Sequence, residues 1–177
     1  DTGMGLERLT ALLQGQQSNY HTDLLMPLID AAALLTSTPY GRHPESDVSL
    51  RVCADHLRAI CFLLIDGVMF GNEGRNFVMR RLARRALRHG KKLGMEQPFL
   101  HKLVPTLINM LGDHYTELKR KQDYLAQSIL REEESFQRTL TSGLAMLDTM
   151  TEKMKPGGML PGKDAFVLHD TYGTKAS

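Results

Sequence analysis

Five arginines crowd into residues 80–88, at Arg80, Arg81, Arg84, Arg85 and Arg88. A guanidinium stays charged and offers a planar fork of donors that matches phosphate oxygens. On a helix, Arg80, Arg84 and Arg88 stack along one strip and Arg81 and Arg85 along the adjoining one, with Val78, Leu82 and Ala86 turned to another side. Such a cluster repels itself unless phosphates or acidic side chains compensate it. Glu132, Glu133 and Glu134 are the acidic candidates within the chain. Over residues 75–92 there are eight basic residues (these five with Arg75, Lys91 and Lys92) and no Asp or Glu. Inside a chain of net charge only +2, a one-sign block of this kind is the footprint of a polyanionic partner.

Three other segments could do chemistry. Asp1-Thr2-Gly3-Met4-Gly5-Leu6-Glu7-Arg8-Leu9 places two glycines before a helix start. There a ligand can approach the backbone and anionic groups are favoured, with Arg8 one turn further in. In Arg51-Val52-Cys53-Ala54-Asp55-His56-Leu57-Arg58-Ala59, Arg51, Asp55 and Arg58 share a helix face, so Asp55 can pair with either arginine. His56 lacks a carboxylate–nucleophile constellation and reads as structural or phosphate-facing. Leu168-His169-Asp170-Thr171-Tyr172-Gly173 is, from its residues alone, a turn with Asp170 as a cap. His43, His89, His101, His114 and His169 show no ligand spacing, so the sequence suggests no metal site and no catalytic residue of its own.

The elements that must position these groups are helical almost throughout. The expected reading is a short helix ending at 13, a helix capped by Thr22 and running to about 35, and a loop over 36–46. A helix over 47–66 then ends at Gly67, and the basic helix ends at Gly90. A helix over 98–111 is expected to kink at Pro105, and Asp113 opens a long helix ending near 155 with a seam through Leu118, Leu125, Ile129, Phe136, Leu140, Leu144 and Leu147. The fold class is therefore all-α. An apolar share of 42% is enough for a core, and no run is long enough to span a membrane. Cys53 and Cys61 sit about two turns apart on one helix, which disfavours a disulfide and suggests a reducing, cytoplasmic-type compartment without separating it from a mitochondrial one. A chain beginning at Asp1 rather than methionine suggests a piece of a longer protein.

The four segments, in this order, resemble alanine–tRNA ligases among the class II aminoacyl-tRNA synthetases. The first is similar to their motif 3, the second to Arg-Val-x-Ala-Asp-His-x-Arg-Ala with Cys53 in the variable position. The third, Asn72-Glu73-Gly74-Arg75 with its doubled arginines, is similar to Asn-Glu-Gly-Arg and the helix that follows it. The last is similar to Asp-Thr-Tyr-Gly-Phe-Pro, departing from it at Thr174-Lys175-Ala176-Ser177.

The resemblance implies residues 1–20 as the edge of a class II catalytic domain, 21–173 as a helical bundle that recognises the tRNA acceptor stem, and 174–177 as a tail of other origin. It implies ATP contacts at Gly3, Gly5 and Arg8, and alanine contacts at Asp1 and Gly3. Asn72 and Asp170 would read a G·U wobble pair of tRNA(Ala), and Arg75, Arg80, Arg81, Arg84, Arg85 and Arg88 would hold the RNA backbone. ATP with Mg2+ would serve the full enzyme, with no cofactor held tightly by this piece and neither DNA nor a membrane as partner. Because the activating sheet and the motif 2 arginine belong upstream, the piece alone is expected to be inactive. The rival expectation is a free-standing, non-catalytic helical RNA-binding or interaction module.

Overall fold

A computed structural model describes residues 3–152 and 161–163. Among these residues there is no strand, in keeping with the all-α expectation. The helices are α1 (Leu6–Leu13), α2 (Met26–Leu35), α3 (Pro44–Ile65), α4 (Gly74–Lys92), α5 (Val104–Leu111), α6 (Thr116–Arg120) and α7 (Gln122–Glu152), with 3-10 turns at Asn19–His21 and Leu100–Leu103. The chain divides into two units, Asp1–Glu133 and Glu134–Ser177. The arginine-rich helix α4 and the glycine-rich segment before α1 both belong to the first.

The centre of that first unit is the α3–α4 pair. Leu50, Cys53, Ala54, Leu57, Ile60, Cys61 and Leu64 of α3 are buried at helical spacing, as are Met79, Ala83, Ala86 and Leu87 of α4. Burial of such an apolar stripe, rather than helix propensity, is what stabilises helices of this kind. Cys53 and Cys61 are both free, and burial pushes each thiol up to about 12. Both therefore behave as small apolar residues.

Several expected boundaries move, each for a local reason. Thr22 does not cap α2. Its hydroxyl donates to the Asn19 carbonyl at 2.8 Å, and the helix starts only at Met26, with Pro27 in its first turn. α3 begins at Pro44, where a proline costs no helical hydrogen bond. It ends as expected at Gly67, whose φ of +83° suits glycine. Pro105 initiates α5 instead of kinking a longer helix. The long C-terminal helix is interrupted, with α6 stopping at Arg120 and α7 starting at Gln122, while Asp113 binds Lys119 at 2.5 Å. Of its expected seam, Leu118, Leu125, Ile129 and Phe136 are buried but Leu144 is 47% exposed.

The basic helix does not stop at Gly90. Gly90 is buried inside α4, and Gly94 (φ +86°) turns the chain, with Met95 N–H donating to the Gly90 carbonyl at 3.0 Å. Gly90 lacks a side chain because the Phe99 ring fills the space. A Cβ there would lie 2.1 Å from Phe99 Cε1. Gly90→Ala is expected to destabilise the chain by about 1–3 kcal/mol, since relief requires displacing a buried ring. A urea unfolding midpoint equal to that of the unaltered chain would contradict this.

Candidate nucleic-acid interface

The apolar face of α4 is Met79, Ala83, Ala86, Leu87 and Gly90; it keeps Ala86 of the expected Val78–Leu82–Ala86 side but is rotated away from the half-buried Leu82 and from Val78, which is 56% exposed. This rotation sorts the arginines into two sets. Arg80 and Arg84 lean inward and share one carboxylate oxygen, Glu132 Oε1, at 3.3 and 3.4 Å. Glu132 is 5% exposed, so its charge sits in a low-dielectric setting and both guanidiniums compensate it. Arg75, Arg81, Arg85 and Arg88 are exposed. Acidic neutralisation accounts for Arg80 and Arg84, while an outward cationic strip remains.

At the head of α4, Gly74 (φ +54°) turns the chain into the helix behind Glu73. Asn76 closes the loop before it. Its side-chain oxygen accepts from Met69 N–H at 3.4 Å and its carbonyl from Gly71 N–H at 3.3 Å. Gly71 packs so near Asn76 that a Cβ would come within 2.8 Å of Asn76 Cβ. Asn72 is consequently held at an exposed apex, where its side-chain oxygen accepts from an Arg80 N–H. Beside it, Phe77 is 44% exposed and carries the Arg81 guanidinium 5.8 Å from its ring centre.

The second segment behaves differently from its expected pairing. Asp55 forms an ion pair with neither arginine; it binds His56 Nδ1 at 3.0 Å. Arg51 donates to the Tyr40 hydroxyl at 2.6 Å and lies over the Tyr20 and Tyr40 rings, and Arg58 reaches Glu7 at 2.5 Å. The helical spacing was compatible with an Asp55–arginine pair, but aromatic rings and Glu7, distant in sequence, compete for the guanidiniums. The Arg58–Glu7 pair fastens α1 to α3 and so places the glycine-rich segment, in which Gly3, Gly5 and Arg8 are all exposed.

The hydrogen bond from His56 holds the Asp55 carboxyl below its ordinary 3.8, against the opposing effect of burial and with help from the charges of His56, Arg58 and Arg85. A folded-state value below the unfolded one adds stability that is complete above the ordinary value and is lost as the pH falls through the lowered one. Asp55→Asn is therefore expected to reduce stability at neutral pH and to leave a smaller loss on acidification below about pH 4. Urea midpoints across that range check this; equal acid losses in both chains would contradict it.

A family model described as tRNA synthetases class II (A) matches residues 1–176. The chain belongs to this family. It is 47% identical over 175 residues to the alanine–tRNA ligase of Geobacillus thermodenitrificans and 50% identical over 173 residues to that of Acidithiobacillus ferridurans, covering 98% of this chain in each case. The alanine–tRNA ligase of Psychrobacter is 49% identical over 173 residues. The chain spans about a fifth of the length of these curated relatives.

For this member of the class II synthetases, the structure brings Asn72, Arg75, Arg80, Arg81, Arg84, Arg85 and Arg88 onto one loop and helix. Asp1 and Asp170, two further site residues expected from the sequence, lie outside the described residues, as does the expected helix end near 155. For two residues the positioning role carries no sequence signal, although Glu133 is among the acidic candidates for the arginines. One is Asn76, whose loop-closing role has no signature of its own. The other is Glu133, which accepts from the Phe99, Leu100 and His101 N–H groups at 2.8, 2.9 and 3.1 Å and meets His101 Nδ1 at 2.7 Å. Among the described residues no group of three or more His, Cys, Asp or Glu could hold a metal ion, and no helix is long and apolar enough to cross a membrane.

Proposed function

We propose that this chain is the part of an alanine–tRNA ligase that grips the acceptor stem of tRNA(Ala), within an enzyme that activates alanine with ATP and transfers it to that tRNA. The observation that supports this reading is the sorting of the α4 arginines. Glu132 compensates Arg80 and Arg84, and leaves Arg75, Arg81, Arg85 and Arg88 exposed on one helix. In this reading those four meet backbone phosphates, while Arg80 and Arg84 support them from behind. Asn72 at the apex and Asp170 read the G·U wobble pair. The unpaired guanine amine and its neighbouring acceptors face the wide, shallow groove of A-form RNA, within reach of a short amide and a short carboxylate.

The glycine-rich segment takes a second part of the reading. Gly3 and Gly5 admit ATP to the start of α1, Arg8 holds its terminal phosphate, and Asp1 and Gly3 hold alanine, with Mg2+ accompanying the nucleotide. By the resemblance, activation also needs a sheet and a motif 2 arginine, and the 177 residues alone are expected to support no alanine-dependent pyrophosphate–ATP exchange.

The test is the salt dependence of binding to an acceptor-stem RNA duplex. Four phosphate contacts imply a slope of log K against log salt of about −3 to −4. A slope near zero would contradict the reading.

A further inference from the structure

We propose that Arg80 and Glu132 are positioning residues that fix which way round the Asn72 carboxamide faces its partner. This rests on the reading of Asn72 as a contact to the wobble pair. A guanidinium has donors only, so the Asn72 atom turned toward Arg80 must be its oxygen. The amide NH2 is then what Asn72 presents outward.

A long side chain near the surface would not hold this orientation unaided. Arg80 is held from its other edge: its Nε lies 3.3 Å from Glu132 Oε1, a charge contact rather than an aligned hydrogen bond, and Glu132 is also engaged by Arg84 at 3.4 Å. The rigid guanidinium plane thus connects a buried carboxylate to an exposed amide. The loop contacts of Asn76, to Met69 N–H and Gly71 N–H, fix the backbone that leads into Asn72.

The consequence concerns specificity. Asn72 donates, so what it recognises is an acceptor, such as a pyrimidine O2, a purine N3 or a ribose 2′-hydroxyl. The guanine 2-amino group is itself a donor and is left to a carboxylate. Neither Arg80 nor Glu132 needs to touch RNA bases for this.

The test measures the affinity ratio of the chain for acceptor-stem duplexes carrying G·U and G·C. Asn72→Ala is expected to reduce the ratio about tenfold. Asn72→Asp is expected to reduce it equally, because a carboxylate donates nothing. Glu132→Gln weakens the anchor, and Arg80→Lys replaces the fork with a point charge that cannot serve both neighbours; each is expected to lower the ratio about threefold or more. A merely structural role would weaken binding to both duplexes alike and leave the ratio unchanged.

A ratio preserved in Asn72→Asp would overturn the assigned polarity. A ratio lost in Asn72→Ala but kept in both Arg80→Lys and Glu132→Gln would overturn the positioning role while the recognition reading stands. An unchanged ratio in Asn72→Ala would overturn both.

Discussion

Replacing Glu133 by alanine is expected to lower the melting temperature by about 10 °C. Glu133 is 3% exposed, and its two oxygens take three backbone N–H groups, at 2.8, 2.9 and 3.1 Å, besides His101 Nδ1. Phe99, Leu100 and His101 enter the 3-10 turn that leads into α5, and the first N–H groups of a helical segment have no partner within it. Glu133, from α7, serves as their cap. Removing it strands buried donors, each costing about 1–3 kcal/mol if unsatisfied. Even with partial relaxation and water entry, the expected loss is about 3–5 kcal/mol. Glu133→Gln keeps one acceptor oxygen and should fall between. A shift in Glu133→Ala below about 3 °C would mean that these contacts contribute little.

The second large effect falls on binding and spares the fold. Replacing Arg81, Arg85 and Arg88 together by glutamine is expected to weaken binding to an acceptor-stem duplex about a hundredfold at low salt and to flatten the salt slope by about 3. All three are exposed, and they sit among like charges. Thermal stability should therefore hold or rise slightly as repulsion is relieved. Arg84→Gln provides the contrast. Its guanidinium compensates a carboxylate that is 5% exposed, so its loss should register mainly in stability. The experiment pairs a melting curve with a salt titration for each chain. If the triple replacement destabilised the fold and left binding intact, the sorting of the arginines into inner and outer sets would be wrong.

Much of this was legible in the sequence because helical patterning is a local property. The all-α class, the loop before α3 and the stop at Gly67 come from apolar spacing and from glycine and proline positions. The cationic character of α4 is plain from its composition. What was not legible depends on distant partners. Gly90 looks like a helix end until Phe99 is seen to occupy its missing side chain. Thr22 has the chemistry of a cap, but its hydroxyl bonds Asn19 instead.

The seam of α7 held one signal that could have been read further. Leu125, Ile129, Glu132, Glu133 and Phe136 are all buried, so two acids occupy an apolar stripe. Acidic residues in such places require partners. Glu132, Glu133 and Glu134 are all possible partners for the arginines by sequence, and Glu132 is the one that meets Arg80 and Arg84. The sequence did not show that Glu133, one position on, would turn to backbone amides instead.

In the proposed function, an exposed amide and an exposed cationic strip together read one base pair at the end of an RNA helix. The most direct measurement is a gel-shift comparison, at moderate salt, of the unaltered chain and Asn72→Ala on two acceptor-stem duplexes differing only in G·U against G·C. The unaltered chain is expected to favour the G·U duplex by about tenfold, and Asn72→Ala to bind the two alike. Equal binding of both duplexes by the unaltered chain would contradict the proposed function.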